Sequence, residues 1–328
     1  MTQRTLIGPG ERAPDFALPR GRGEPARFYG FVGGAPSVMV FSGDEGETAS
    51  APVVERLRAT LDDDVVVHHV VQGAPVSDST AFHDAEGALH QGYGVQGTTV
   101  LVLDPNVRVV SAHAPDDLDG MLAAVVDHLA AVRLDGPSAE ADRHAPVLLI
   151  PDVLDEEWRD RLLTAWEAGG SRSTGVEASV DGGRREQADA LRKRRRDHIV
   201  EDPALLRSLT SHLGRRIMPE VQKAFAYEAR GFEGFKIGCY EDADEGFFEP
   251  HRDNISAATA HRRFALTLNL NAGYEGGELR FPEYGPQRYR PAAGEALVFS
   301  GSHLHEVLPV TRGRRFVLLS FLLGGRST

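Results

Sequence analysis

The sequence predicts two domains, an α/β domain followed by a β-sandwich or jelly roll with flanking helices. The chain has 328 residues, which is enough for two domains of ordinary size. In its first part, short β-prone runs alternate with helical patterns, whereas the segment from Phe235 to Leu323 consists of short strands and turns. A polar stretch rich in proline separates the two parts. We therefore place one domain at residues 1–134, a linker at 135–146 and a second domain at 147–328.

The α/β prediction depends on the order of the apolar runs in the first domain. Strongly β-branched runs predict strands, and apolar residues at helical spacing predict amphipathic helices. The predicted strands are Ser37 to Phe41, Val65 to Val71, Thr98 to Leu103 and its hairpin partner Val107 to Val110, and the predicted helices are Pro52 to Leu61 and Leu118 to Val132.

The second domain begins with helical patterns and continues as strands. Val147 to Gly169 predicts a short strand and then a helix, with Asp155 as its N-cap. Residues 170–197 are polar and show no clear periodicity, and Pro203 to Phe225 has helical spacing again. The strand Phe264 to Asn271 alternates between an apolar and a more polar face.

Composition excludes several classes of function. Hydrophobic residues make up 41% of the chain and charged residues 26%, as is typical of a soluble globular protein. The net charge of -12 argues against general nucleic-acid binding. No apolar run approaches the ~20 residues that cross a bilayer, and the first residues lack the apolar core of a signal peptide, so we expect no membrane partner and a cytoplasmic location. The single cysteine, Cys239, excludes an intramolecular disulfide and indicates a small buried residue.

The tripeptide His251-Arg252-Asp253 and the later His305 form the most informative constellation. Side chains two apart in a strand point to the same face, so the imidazole and the carboxylate would be directed at one point. With one histidine from a distant strand, the set holds one face of an octahedral Fe(II) and leaves three positions open. His303 competes with His305, because both lie on the same face of a strand.

Four phrases, in this order, resemble the prolyl-hydroxylase-like branch of the Fe(II)- and 2-oxoglutarate-dependent oxygenases over about residues 147–323. They are Gly246 to Asp253, Tyr274 to Pro282, Pro291 to Phe299 and Ser302 to Arg315. The resemblance implies that His251, Asp253 and His305 are the iron ligands. It favours His305 over His303, because only His305 is followed at the family's spacing by Pro309-Val310. The cofactors it implies are Fe(II), 2-oxoglutarate and O2, with ascorbate as a candidate reductant.

The resemblance also implies an anchor for 2-oxoglutarate. The far carboxylate of this co-substrate points into the barrel, where it needs a paired cation and hydrogen bonds. Arg315, ten residues after His305, matches the family's basic residue, and arginine can bind both carboxylate oxygens. Arg314 is the rival, since both faces of the strand from Phe316 to Leu323 are apolar.

Four further residues are candidates for the co-substrate pocket. Tyr240 lies near the position of a tyrosine that precedes the iron motif in this family, and Lys236 is a weaker option. Thr267 and Asn269 lie on the more polar face of their strand, which either lines a pocket or faces water.

The first domain resembles the thioredoxin-like fold of peroxiredoxins over about residues 8–132. The matching phrases are Gly10 to Phe16, Tyr93-Gly94-Val95 and Leu103-Asp104-Pro105. Peroxiredoxins place a reactive cysteine after the strand that corresponds to Val38 to Phe41, and here the loop from Ser42 to Ser50 contains none. We therefore expect a non-catalytic domain that supports the structure, binds a partner or forms a homodimer.

The run Arg192 to Arg196 is the most basic segment in an acidic protein. Its default interpretation is a solvated helix face. The sharper hypothesis is that it lies near the mouth of the pocket and attracts an anionic substrate, together with Arg262 and Arg263.

The predicted function is 2-oxoglutarate- and O2-dependent oxidation of an unactivated C–H bond, with release of succinate and CO2. Amino-acid-like, peptidyl and natural-product substrates all remain open. Asp253 favours hydroxylation, because related halogenases carry a small residue there, whereas desaturation and cyclisation use the same ligands. The alternative is a scaffold or partner-binding protein that acts through the cysteine-free first domain.

Overall fold

A computed structural model describes residues 5–324, apart from 22, 31, 44–45, 74–77, 133–143, 174–175, 181–182 and 188–191; for residues 173, 176–180 and 183–187 it describes the backbone alone. The chain divides into two compact units, residues 1–139 and 140–328. Most of the predicted linker lies outside the described residues. Ala145, placed in that linker by the sequence, is buried in the second unit, and its amide donates to the hydroxyl of Tyr289 at 2.9 Å.

The described part of the first unit is built on a mixed five-stranded sheet. Its elements are β1 (Ala17–Pro19), β2 (Pro25–Arg27), β3 (Ser37–Phe41), α1 (Glu47–Thr60), β4 (Val66–Gln72), β5 (Phe82–Asp84), α2 (Ala88–Tyr93), β6 (Thr99–Leu103), β7 (Val109–His113) and α3 (Leu118–Val132). The strand order is β5-β4-β3-β6-β7. Neighbours β5, β4 and β3 are parallel, and β6 and β7 are antiparallel.

This sheet separates two apolar cores, because its strands are buried on both faces. Val38 and Val40 of β3 pack with the buried stripes of α1 and α3. Met39 and Phe41, which alternate with them, pack with Phe28 and Tyr93 on the other side. The arrangement is the α/β layer structure that the sequence predicts.

The described part of the second unit consists of helices and antiparallel sheets, and the two largest sheets have eight and four strands. Its described elements are β8 (Leu148–Ile150), α4 (Glu156–Gly169), β9 (Arg172–Ser173), β10 (Val176–Val180), β11 (Gly183–Gln187), β12 (Arg196–Ile199), α5 (Pro203–Phe225), β13 (Ala229–Phe232), β14 (Lys236–Glu241), β15 (Phe248–His251), β16 (Phe264–Asn269), β17 (Glu275–Gly276), β18 (Leu279–Arg280), β19 (Arg288–Tyr289), β20 (Ala296–Ser300), β21 (His305–Val307), β22 (Val310–Arg312) and β23 (Arg314–Gly324). Both predicted helices are present, and Asp155 caps α4 by accepting from the amide of Trp158.

The two main sheets face each other, as in a jelly roll. The larger has the order β8-β20-β16-β23-β14-β12-β9, with β13 beside β23, and the smaller has the order β15-β21-β18-β19. Leu266 and Leu268 of β16 pack outward against α4 and α5. The inner face of the larger sheet contributes Ala265 and Val317, which pack with Leu279 and Val307 of the smaller sheet.

The alternation predicted for β16 is therefore confirmed, and its more polar face points between the sheets. The strands β9 to β12, which begin within residues 170–197, were not predicted. β9, β11 and β12 are mostly polar, whereas the alternation of Val176, Ala178 and Val180 in β10 is a strand signal that the prediction missed. Within the described part of the chain, no helix is both long and apolar enough to cross a membrane.

Candidate iron site

His251 and His305 are brought together by strand pairing. β15 ends at His251, β21 begins at His305, and the two residues are direct partners across the antiparallel pair. Partners on one face of such a pair lie close together, so the two rings meet with centroids 4.2 Å apart. The sequence predicts that Asp253 lies in the same strand as His251. In the structure, β15 ends at His251 and Asp253 follows it. Its amide donates to the carbonyl of Gly301 at 2.9 Å, which fixes the turn.

The three side chains converge on one point. One ligand atom from each of His251, Asp253 and His305 lies within 4.8 Å of the others. The Nε2 atom of His251 is 3.7 Å from Oδ1 of Asp253, and Nε2 of His305 is 3.5 Å from Oδ2. These distances are too long for good hydrogen bonds, and they suit ligand atoms that bind one metal ion between them.

The backbone orients both imidazoles for metal binding. Nδ1 of His251 contacts the carbonyl of Glu249 at 2.8 Å, and Nδ1 of His305 contacts the carbonyl of His303 at 3.0 Å. A carbonyl only accepts, so each Nδ1 carries the proton and each Nε2 directs a lone pair toward Asp253. Such contacts orient metal-ligating histidines. The donor set therefore fits an Fe(II) ion held on one face by two imidazoles and a carboxylate.

Aromatic rings hold the two histidines in place. The ring of Phe248 stacks on His251 at a centroid distance of 3.5 Å, and Phe299 meets His305 edge-on at 4.6 Å. Burial, and then the neighbouring His305, lower the pKa of His251 to about 2. His251 is thus neutral at physiological pH, which is the form that ligates a metal.

His303, the rival ligand, lies elsewhere. Its ring stacks against Tyr284 at a centroid distance of 5.2 Å and supplies no atom to the three-residue cluster. Among the described residues, those that line the cavity beside the cluster do not include His303.

The cluster opens into a cavity of about 840 Å³ between the two sheets. This volume is in the range of small-molecule sites. All seven predicted site residues except Asn269 line it directly, and Asn269 contacts the lining residue Arg315. The remaining wall beside the cluster is apolar and is formed by Ala265, Leu279, Phe299 and Val307.

Arg315 is 2% exposed, whereas its rival Arg314 is exposed to solvent. The side-chain oxygen of Asn269 accepts from Nη2 of Arg315 at 3.0 Å and from Nε at 3.3 Å. Asn269 is itself fixed, since its amide nitrogen donates to the hydroxyl of Tyr274 at 2.7 Å. Among the described residues, no carboxylate forms an ion pair with Arg315, so a buried guanidinium faces the cavity with a neutral partner.

Tyr240 and Thr267 lie on the same wall as Arg315. Tyr240 pairs with Arg315 across β14 and β23, and the guanidinium lies 5.7 Å from the centre of the Tyr240 ring. Thr267 is buried on β16, which is the other neighbour of β23. Neither residue is on a solvated outer face.

The basic segment Arg192 to Arg196 is not a solvated helix face, and that default interpretation is wrong. Its amides and carbonyls bond to those of Phe247 and Glu249, so it runs beside β15 before it enters β12. Lys193 is 7% exposed, and Nζ lies 5.5 Å from the centre of the Phe248 ring. Lys193, Arg195 and Arg192 line the cavity, as the sharper hypothesis predicts.

Asp197 is the residue near the cavity that the sequence analysis missed. Its buried carboxylate accepts from Nε of Arg195 at 2.6 Å and from Nη2 at 2.8 Å. Nη1 of Arg195 donates to the hydroxyl of Tyr240 at 3.2 Å. The signal was available, because residues 193, 195 and 197 share one face of an extended segment. Of the two remaining predicted cations, Arg262 lines the cavity, where Glu233 binds it at 2.6 Å, and Arg263 is exposed.

The chain is similar to several known proteins. The profile of the 2OG-Fe(II) oxygenase superfamily matches residues 235–323. A PKHD-type hydroxylase of Xanthomonas campestris pv. campestris (strain B100) is 32% identical over 179 residues, which cover 52% of this chain and 75% of the relative. A PKHD-type hydroxylase of Pseudomonas putida is 38% identical over 89 residues, which cover 24% of this chain and 38% of the relative. The crystal structure of a Pseudomonas putida prolyl-4-hydroxylase covers 62% of this chain and 98% of its own, at 19% identity and a TM-score of 0.43.

A jelly roll that carries two histidines and one aspartate beside a buried cation defines a class of non-haem iron enzymes. The chain belongs to the 2OG-Fe(II) oxygenase superfamily, in its prolyl-hydroxylase-like branch. It is therefore a dioxygenase, and its family uses Fe(II), 2-oxoglutarate and O2.

Proposed function

We propose that this enzyme hydroxylates an unactivated C–H bond of a small-molecule or peptidyl substrate, with His251, Asp253 and His305 as the ligands of Fe(II). The observation that carries the proposal is the convergence of these three side chains in one cavity with the buried Arg315. Bound iron, with 2-oxoglutarate and O2, supplies the oxidant, and 2-oxoglutarate leaves as succinate and CO2.

Arg315 is assigned to the far carboxylate of 2-oxoglutarate. Its planar fork suits a carboxylate, and burial strengthens the attraction between opposite charges. Asn269 holds the guanidinium from behind through Nη2 and Nε, so Arg315 is preorganised before the co-substrate enters. Tyr240 offers a hydroxyl on the same wall, and Thr267 offers a second one from β16.

The remaining residues orient the reaction. The carbonyls of Glu249 and His303 keep both ligand imidazoles in the tautomer that leaves Nε2 available. Asp253 contributes the only negative charge of the ligand set, which partly balances a divalent cation. The apolar wall of Ala265, Phe299 and Val307 excludes water from the place where a C–H bond would lie.

The proposal is tested by succinate formation from 2-oxoglutarate in the iron-loaded enzyme. Arg315→Met should raise the KM for 2-oxoglutarate by at least about 30-fold, because truncating one partner of a buried charge pair costs about 2 kcal/mol or more. Arg314→Gln removes the same charge from the exposed neighbour and should leave this KM within about twofold. Equal effects of the two substitutions would reject Arg315 as the anchor. The absence of Fe(II)-dependent succinate formation in the unaltered enzyme would reject the function.

A further inference from the structure

Three cations lie in a row along the inner face of β14. They are Lys236 itself, Arg195 above Gly238, and Arg315 beside Tyr240. Lys236, Gly238 and Tyr240 alternate with outward-facing residues and so share one face, and both Lys236 and Tyr240 line the cavity. A Cβ atom at Gly238 would lie 2.9 Å from Cδ of Arg195, so Arg195 occupies the space above this glycine. With Arg315 beside Tyr240, three cations follow one another along the wall.

The three cations differ in their partners. Arg195 is bound by both oxygens of Asp197, and Arg315 is assigned to 2-oxoglutarate. Lys236 is half-buried, and among the described residues no acidic side chain forms an ion pair with it. Glu233, on the same wall, is bound by Arg262 at 2.6 Å and by His261 at 2.9 Å. Its charge is therefore already matched, and Lys236 adds a positive charge to the cavity.

Lys236 lies near one end of β14, and Tyr240, the strand partner of Arg315, lies near the other. Tyr240 lies four residue steps along an extended strand from Lys236, which corresponds to about 13 Å between their backbones. A half-buried ammonium in a cavity favours an anionic partner, because burial weakens its hydration. Lys236 is therefore suited to a second anion that enters with the substrate.

The part of the cavity beside the iron site has the opposite character. Leu279, Phe299 and Val307 offer apolar surface there. Ile255, two residues after Asp253, is 80% exposed and lies at the rim of the same cavity. Single exposed apolar residues are common, but one on a cavity rim provides an apolar contact for a ligand.

We propose that the substrate carries a carboxylate that Lys236 binds and an aliphatic segment that lies against the apolar wall beside the iron site. This proposal rests on the function proposed above and adds the chemical class of the substrate. The cavity accommodates a free aliphatic acid of amino-acid size, and an acidic side chain of a peptide would present the same group. Lys236 acts in specificity, because it selects the charged substrate over a neutral molecule of the same shape.

The experiment compares acids with their amides as stimulators of succinate formation by the full-length, iron-loaded enzyme. The small-molecule arm uses L-glutamate against L-glutamine and L-aspartate against L-asparagine. The peptide arm uses a capped hexapeptide with one central glutamate against the same peptide with glutamine. The variants are Lys236→Met and, as a matched control, Lys223→Met, which removes an exposed lysine from α5.

In the unaltered enzyme, the kcat/KM for the acid should exceed that for the amide by at least tenfold in one of the two arms. Lys236→Met should lower this ratio at least tenfold, and Lys223→Met should leave it unchanged. A ratio is the chosen readout because a variant that merely folds less well lowers both values equally. The arm that responds distinguishes a free acid from a peptide.

Several results would overturn the proposal. They are equal stimulation by acid and amide, no stimulation by either arm above the rate without substrate, and an unchanged ratio in Lys236→Met. A larger rise in the KM for 2-oxoglutarate than for the acid would assign Lys236 to the co-substrate instead. If the enzyme formed no succinate at all, the proposed function would fail first. Calorimetric binding of the same acids and amides would then still test Lys236.

Discussion

Both units of this chain contain histidine next to aspartate, and the two sites are built in opposite ways. In the first unit, Nδ1 of His90 contacts Asp84 at 2.7 Å and Nε2 contacts the carbonyl of Ser42 at 3.0 Å. Both ring nitrogens are used in short hydrogen bonds. In the second unit, His251 and His305 each use only Nδ1 in this way and direct Nε2 toward Asp253 at 3.5 to 3.7 Å.

A second cluster in the first unit sharpens this contrast. Ser50 contacts Nε2 of His69 at 2.9 Å, and Nδ1 of His69 lies 3.7 Å from Asp78. The residue types are those of a hydrolase triad. However, Ser50 and His69 are both buried, and the hydroxyl also contacts the carbonyl of Gly46, the residue that precedes α1. Residue types alone therefore do not make a site. At least one ring nitrogen must keep a lone pair that no hydrogen bond uses, and that lone pair must face a cavity.

The largest effect on succinate formation is expected at Asp253, and it should distinguish this aspartate from Asp84 in the first unit. Asp253→Ala should lower succinate formation at least about 100-fold, since it removes a metal ligand and not merely a residue that supports one. Asp84→Ala should leave Fe(II)-dependent succinate formation intact but lower the free energy of unfolding by about 1–3 kcal/mol, because buried His90 loses its acceptor. Succinate assays and urea unfolding of both variants measure this. Loss of turnover in Asp84→Ala would remove the contrast between the clusters.

An acid-induced loss of stability should be common to both units. Burial, followed by nearby arginines, lowers the pKa of His68 to about 4, and the same causes lower the pKa of His212 to about 4. Each folded pKa lies below the unfolded value of 6.5, so the unfolded chain binds more protons between these values. The stability is therefore fully present above pH 6.5 and is lost as the pH falls toward 4, by about 3 kcal/mol for His68 and by less for His212, whose ring is better screened by solvent.

Urea unfolding at several pH values between 7 and 4 measures this loss. His68→Gln and His212→Gln, which do not titrate in this range, should each flatten the pH dependence of the unfolding free energy. A pH dependence as steep in the double variant as in the unaltered protein would assign the effect to other groups.

The smallest expected effect concerns the cavity wall. Gly238→Ala places a Cβ atom 2.9 Å from Cδ of Arg195 and 3.2 Å from Oδ1 of Asp197. Overpacking of this kind costs about 1–3 kcal/mol. Gly231→Ala, in β13, meets no atom within 4 Å and should change stability by less than about 0.5 kcal/mol. Denaturant midpoints of the two variants check this, and equal midpoints would show that Arg195 yields without cost.

The sequence predicts much of the second unit because local signals determine it. The spacing of apolar residues predicts α5 from Pro203 to Phe225 with its observed bounds, and the alternation in β16 assigns its two faces correctly. Two features depend on tertiary contacts that local signals do not determine. Strand parity does not distinguish Arg314 from Arg315, since only the packing of β23 between β14 and β16 buries one of them.

The basic segment Arg192 to Arg196 illustrates the same limit. Nothing local indicates that Arg192 to Arg194 will pair with the strand that carries His251, because the partner lies more than fifty residues further along the chain. The roles of the first unit as a partner-binding or dimerisation domain stay predictions. The loop from Ser42 to Ser50 contains no cysteine. This argues against peroxidase chemistry and assigns no other role.

The pairing of this segment with β15 has a consequence for motion. β15 is joined to β21 through an irregular register. On its other side, the amide of Arg194 donates to the carbonyl of Phe247, and the amides of Phe247 and Glu249 donate to the carbonyls of Arg194 and Arg192. These three amide protons share one set of backbone bonds, so they should exchange with solvent deuterium as a single cooperative group. Whatever opens this group also releases one side of the strand that carries His251. Occupation of the ligand cluster by a metal ion would slow the exchange of all three together.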